Sequence, residues 1–119
     1  MISKRPLSNS DYTFDESSKT LNAKGLKIKC IDSMPKNISK NLCALNLANN
    51  YLTSLEGVEQ FMSLEEICLK NNRIHKGTNL LPLGNMKKLS RIEIDGNPFL
   101  KEPLDEDVLD LIIEKETDI

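Results

Sequence analysis

The chain contains no tryptophan, two tyrosines and three phenylalanines, so aromatic residues make up only 4% of it. Valine occurs twice, histidine once and cysteine three times. Without aromatic bulk a core has to be built from Leu and Ile, and a binding surface lacks the large rings that mark most interface hot spots. Cys30, Cys43 and Cys68 form no Cys-x-x-Cys pair and have no set of histidines to join, which excludes both a disulfide framework and a zinc site. No metal or cofactor is expected. Basic charge is not in excess: 16 Lys+Arg stand against 18 Asp+Glu, a net charge of -2. Such a chain has no positive field with which to hold a phosphate backbone, so nucleic acid is not an expected partner. No apolar run approaches the roughly 18 residues that span a bilayer, and none follows Lys4 and Arg5 as it would in a secretory signal. Neither membrane insertion nor export is expected. The unpaired cysteines point to a reducing compartment, cytoplasmic or nuclear.

Three residue types are plentiful: 18 Leu, 11 Ile and 12 Asn among 119 residues. That length suits one domain. Charge is distributed unevenly, at +4 over residues 1–44, zero over 45–100 and -6 over 101–119. Residues 1–20 are Ser-, Thr-, Asp- and Lys-rich with isolated apolar residues, and read as a flexible polar arm. Residues 21–100 carry a repeating apolar pattern. Residues 101–119 interleave acidic positions with Leu and Ile.

The repeat is legible three times over. From Leu42 the slots are Leu42, Leu45, Leu47, Asn50 and Leu52; from Leu64 they are Leu64, Ile67, Leu69, Asn72 and Ile74; from Leu89 they are Leu89, Ile92, Ile94, Asn97 and Phe99. After Leu52 the pattern continues through Leu55, Val58 and Phe61 at three-residue steps, and Leu80, Leu83 and Met86 fill the same slots after an insertion near Lys76–Asn79. Successive starts lie 22 and then 25 residues apart. A fourth, imperfect unit precedes them, with Leu21, Ala23, Ile28, Ile31 and Ile38 in the apolar slots and Leu26 in place of Asn. A degenerate first unit suits the end of a stack.

This pattern resembles the leucine-rich repeat signature LxxLxLxxN/CxL. The short unit is similar to the intracellular repeats typified by the regulator of type-one protein phosphatase. The resemblance implies an α/β leucine-rich-repeat solenoid of about four coils, with a parallel sheet on the concave face and a C-terminal capping helix. It implies an adaptor role as well, because relatives of this class include a phosphatase regulator, a spliceosomal subunit, axonemal dynein light chains and tubulin-folding cofactors. They share no chemistry.

In the Leu-x-Leu segment alternate side chains point to opposite faces. Leu45/Leu47, Ile67/Leu69 and Ile92/Ile94 are therefore expected in the core, with Asn46, Cys68 and Glu93 outside. Asn50, Asn72 and Asn97 fall where the backbone leaves the sheet, and an amide side chain can satisfy the polar groups stranded there. They read as a structural ladder rather than ligand-binding residues. Asp105 is placed to N-cap a helix near Glu106–Glu116, whose Val108, Leu111 and Ile112 share one face with Leu109 and Ile113 beside them.

No constellation for catalysis emerges. His75 stands alone in a turn after Ile74, and Lys76-Gly77-Thr78 lacks the rest of a phosphate loop. The chain is read as non-catalytic, acting through surfaces on a protein partner. The outward face holds three rows across the units: Thr20, Ala44, Glu66 and Arg91; Asn22, Asn46, Cys68 and Glu93; Lys24, Ala48, Lys70 and Asp95. On this face, which includes Asn46 and Cys68, the small Ala44 and Ala48 would leave room for a partner helix or loop, and Glu66, Lys70, Arg91, Glu93 and Asp95 would orient it. The alternative is a structural subunit of a cytoskeletal or ciliary assembly, held by its ends and the polar arm. The opposite charges of the two ends make self-association conceivable, and the closing Glu116-Thr117-Asp118-Ile119 is similar to ligands of PDZ domains.

Overall fold

The computed structural model describes residues 4–118, and side chains over 4–115. Six three-residue strands form a single sheet in chain order: β1 (Thr13–Asp15), β2 (Thr20–Asn22), β3 (Ala44–Asn46), β4 (Glu66–Cys68), β5 (Arg91–Glu93) and β6 (Glu116–Asp118). β1 runs antiparallel to β2, and the four following pairings are parallel. The α/β class, with a mostly parallel sheet and a C-terminal helix, agrees with the expectation.

Parallel neighbours require the chain to return between them. The returns are α1 (Lys36–Ser39), 3-10 segments at Val58–Gln60 and Gly77–Asn85, and α2 (Glu106–Glu114). The inserted residues near Lys76–Asn79 lengthen the second 3-10 segment. Between strands and returns lies the core, in which Leu45, Leu47, Ile67, Leu69, Ile92 and Ile94 are all buried beside Leu55, Val58, Phe61, Leu80 and Leu83. The molecule measures 36 × 35 × 18 Å. The thin dimension leaves room for one apolar layer of about 10 Å between facing elements. Leu and Ile fill such a layer, so Phe61 and Phe99 are the two phenylalanines fully buried in it.

Lys27 (φ 58°) aside, the turns after β2, β3, β4 and β5 are each shaped by one residue in the left-handed region: Gly25 (φ 70°), Asn49 (φ 58°), Asn71 (φ 57°) and Gly96 (φ 78°). Gly and Asn tolerate that conformation best. Each stands one position ahead of Leu26, Asn50, Asn72 or Asn97. The Asn71 amide donates to Asn49 Oδ1 at 2.9 Å, linking two successive turns at the surface.

Residues 4–20 depart from the flexible arm expected over residues 1–20. Leu7 lies in a 3-10 turn (Leu7–Asn9), is fully buried, and donates its N–H to Cys30 O at 2.9 Å. Ser8 N–H donates to Asp32 Oδ1 at 2.9 Å, and its hydroxyl bonds the same carboxylate. Residues 13–15 extend the sheet as β1, with Phe14 and Tyr12 packed against the core. The polar composition hid a layer held by main-chain bonds and one anchoring leucine. At the other end α2 covers Glu106–Glu114, ending before the expected Glu116, and Asp105 occupies the N-cap position without a side-chain cap bond. Its backbone carbonyl instead accepts from Val108 and Leu109. Val108 and Leu111 are buried, whereas Ile112 is only partly buried and Leu109 and Ile113 are exposed.

Candidate protein-binding face

The register reproduces the rows read from the sequence. Thr20 pairs with Ala44, Ala44 with Glu66, and Glu66 with Arg91; Asn22, Asn46, Cys68 and Glu93 follow in the next row. The third row continues past the strands, where Gly25 N–H donates to Ala48 O at 3.0 Å, Asn49 N–H to Lys70 O at 2.9 Å and Asn71 N–H to Asp95 O at 2.9 Å. Neighbouring positions stand one strand spacing apart, about 4.8 Å.

A recess of about 300 Å3 opens on this face, lined by Ala44, Asn46, Glu66, Cys68, Arg91 and Glu93 among others. Its floor is formed by small or medium side chains and its C-terminal side by charged ones. Lys70 Nζ lies 4.0 Å from Glu93 Oε2 and 3.8 Å from Asp95 Oδ1. Pairs exposed to this extent contribute at most about 1 kcal/mol. They hold the carboxylates in place more than they stabilise the fold. The Cys68 thiol donates to Glu93 Oε2 at 3.3 Å. Burial pushes that thiol above its ordinary pKa, against the opposing Lys70 backbone hydrogen bond, so Cys68 is a neutral contact group rather than a reactive thiolate.

Two placements correct the sequence reading. Ala48 was expected to leave open space but is only 6% exposed. It lies in register between the longer Lys24 and Lys70, so its small side chain offers a partner almost no area. The sheet also reaches one strand further than expected: β6 pairs Glu116 with Arg91, Thr117 with Ile92 and Asp118 with Glu93. The rows thereby gain Glu116 and Asp118 as register positions. The signal for this was spacing, since Glu116 follows Arg91 by the same 25 residues that separate Arg91 from Glu66. Two polar residues and a threonine gave no apolar pattern to reveal it. Of the PDZ-like tail, residues 116–118 are engaged by β5 through the main chain, and Ile119 lies outside the described residues.

Asn50, Asn72 and Asn97 sit behind this face, buried and fully occupied. Asn50 Oδ1 accepts from Leu26 N–H (3.0 Å) and Ile28 N–H (2.9 Å), and its amide donates to Ala23 O, Leu47 O and Ala48 O. Asn72 Oδ1 accepts from Leu52 N–H at 3.0 Å and Asn97 Oδ1 from Ile74 N–H at 3.2 Å. Each asparagine thus serves the turn of the unit before its own. Among the described residues no buried side-chain polar atom lacks a partner.

The remaining chemistry-bearing residues do not converge. His75 lines a separate recess of about 240 Å3 with Glu102 and Asp105, where the turn after Ile74 meets the start of α2. No group of three His, Cys, Asp or Glu side chains among the described residues could hold a metal. Cys30, Cys43 and Cys68 are all free thiols, and burial raises the pKa of Cys30 as well. No helix among the described residues is long and apolar enough to cross a membrane.

No family model matches the chain. A stretch of 58 residues, 49% of the chain, is 35% identical to the serine/threonine-protein kinase 11-interacting protein of Gallus gallus. The matched stretch spans 5% of that protein's length.

Proposed function

We propose that the chain is a leucine-rich-repeat solenoid of the short intracellular type and acts as a non-catalytic interaction module, an adaptor or regulatory subunit that grips a protein partner on its concave sheet face. The observation that carries this reading is the recess on the outer sheet face, where Thr20, Ala44, Asn46, Glu66, Cys68, Arg91 and Glu93 from neighbouring strands stand outside the core, with the buried Leu45 and Ile67 beneath them. Alternation separates the two jobs: every second strand residue is buried apolar and the others are free to vary with a partner. A surface with polar hydrogen-bonding groups, a small-residue floor and oriented charges suits a protein segment, and its one thiol, Cys68, is held protonated by burial. The Gallus gallus protein is itself named for an interaction with a kinase, which adds support for a binding role. The alternative of a structural subunit tethered by the N-terminal arm draws less support, because residues 7–15 of that arm are engaged in the fold.

The test is a charge exchange on the face, Arg91→Glu combined with Glu93→Arg, in affinity capture from the native cell with mass-spectrometric readout. The wild type is expected to enrich a defined protein set that the exchanged variant loses by at least about tenfold, the equivalent of about 1.4 kcal/mol. The melting temperature should stay within about 2 °C, as for substitutions at solvent-facing positions. Equal capture by both proteins would refute the assignment of this face.

A further inference from the structure

We propose that this chain associates with copies of itself head to tail, the α2–β6 end of one copy stacking on the β1 end of the next. At the first of these ends, α2 packs inward through Val108 and Leu111. Their methyl groups lie 3.4 Å and 3.6 Å from where a Cβ on Gly77 and Gly84 would stand. At 100° per residue this places Leu109 and Ile113, four residues apart, on the flank turned away from the Gly77–Asn85 segment. That flank faces along the stacking direction, where a further layer would lie. Ile113 is 80% exposed and Leu109 44%. Glu106, Asp110 and Glu114 border the stripe, and all three are exposed. β6 lies on the same side as the last strand of the sheet, with no second neighbour among the described residues. An exposed apolar stripe of this kind is a surface that natural proteins usually cover.

The other end of the same molecule carries the complement. β1 is the first strand of the sheet and has β2 as its single neighbour among the described residues. The layer holding Leu7 and the first repeat unit border a recess of about 230 Å3, whose wall includes Pro6 and the half-buried Leu26 together with Arg5, Lys27, Asp11 and the polar Asn9 and Ser10. Lys29, exposed, lies next to Arg5, to whose carbonyl it donates at 2.9 Å. The excess cations of this half lie in the first repeat unit, where Lys24, Lys27, Lys29, Lys36 and Lys40 stand against Asp32, whereas residues 1–20 balance three charges of each sign; residues 101–119 carry -6. The Leu109 and Ile113 stripe meets Pro6 and Leu26, and the carboxylates of α2 meet Lys27 and Lys29. Because the two surfaces differ, the contact is heterologous and propagates as a chain of copies rather than closing as a symmetric pair.

The experiment is sedimentation velocity on the full chain over a range of concentrations. Salt is set at about 20 mM and about 500 mM, between which the Debye length falls from about 20 Å to about 4 Å. The wild type should show mass rising with concentration at low salt and at least tenfold weaker association at high salt. Leu109→Lys/Ile113→Lys blocks one end, and Lys27→Glu/Lys29→Glu blocks the other. Each variant alone should sediment as a monomer with its circular-dichroism melt unchanged. Mixed together they should form a discrete dimer and nothing longer, since each supplies the end that the other lacks. A wild type that stays monomeric at every concentration overturns the proposal, as does a mixture that stays monomeric. Association retained by the Lys27→Glu/Lys29→Glu variant alone also overturns it, showing a symmetric contact through the α2 ends.

Discussion

Replacing Asn50 by Ala tests the physical role of the asparagine ladder most directly. Its side chain accepts from Leu26 and Ile28 N–H and shares its two amide hydrogens among the Ala23, Leu47 and Ala48 carbonyls. Asn50 is 2% exposed and Ile28 is fully buried, so water cannot readily replace the lost partner. A buried donor left unsatisfied costs about 1–3 kcal/mol. With two amides affected the expected loss is about 3–5 kcal/mol, a large part of the about 5–15 kcal/mol that holds a domain of this kind together. Asn72 accepts from one amide, Leu52 N–H, so Asn72→Ala should cost less, about 2–3 kcal/mol. The exposed Asn85→Ala serves as control, expected within about 0.5 kcal/mol of wild type. Urea denaturation followed by circular dichroism measures all three, with an unchanged m-value showing that the unfolded states are comparable. If Asn50→Ala costs under about 1 kcal/mol, or less than Asn72→Ala, the accounting of backbone groups is wrong.

Leu7→Ala separates a folded N-terminal layer from a flexible arm: a fully buried leucine should cost about 2–4 kcal/mol in the same urea assay, whereas a residue in an arm would cost under about 0.5 kcal/mol. Burial holds the Cys68 thiol above its ordinary value of 9.0, so the folded state keeps this proton to higher pH than the unfolded state. The stability this contributes is complete below the unfolded value and is lost as pH rises through the folded one. The urea midpoint of the wild type should therefore fall relative to Cys68→Ala above about pH 9, and alkylation of Cys68 at pH 8 should be slower than that of a free thiol; a faster rate would contradict its placement.

The parts of this fold legible in the sequence are those in which burial imposes a period. Leu45/Leu47, Ile67/Leu69 and Ile92/Ile94 alternate because one strand face is dry, and unit lengths of 22 and 25 residues set the register of β3, β4 and β5 without further information. Asn50, Asn72 and Asn97 were readable because few side chains carry both donors and an acceptor on so short a stem. β1 and β6 were hidden for the opposite reason. Three-residue strands at the ends of a sheet are held by main-chain bonds, and main-chain bonds leave no mark on composition. Leu7 was a single apolar residue in a polar stretch. The candidate face was legible as a set of positions but not as a surface, since the burial of Ala48 is set by three-dimensional packing that its place in the repeat does not reveal. The left-handed column of Gly25, Asn49, Asn71 and Gly96 was written in the sequence as the residue ahead of each ladder position, and accounts for two more asparagines.

The direction of the ladder explains both of its ends. Because each asparagine satisfies the turn of the preceding unit, the first unit has no earlier turn to serve, and Leu26 can occupy its slot as a partly buried apolar residue. At the other end the turn after β5 has no following asparagine among the described residues to accept from it. In the earlier units the residue after the ladder position donates backward, Tyr51 N–H to Ile28 O at 2.8 Å and Arg73 N–H to Leu52 O at 2.9 Å. Pro98 fills that position in the last unit and has no N–H to donate. Phe99, whose counterparts Ile28, Leu52 and Ile74 donate to asparagine, turns its own N–H to Ile74 O at 3.0 Å instead. One proline thereby removes a donor and redirects the next, so the turn is satisfied without a further asparagine while the sheet beside it continues into β6.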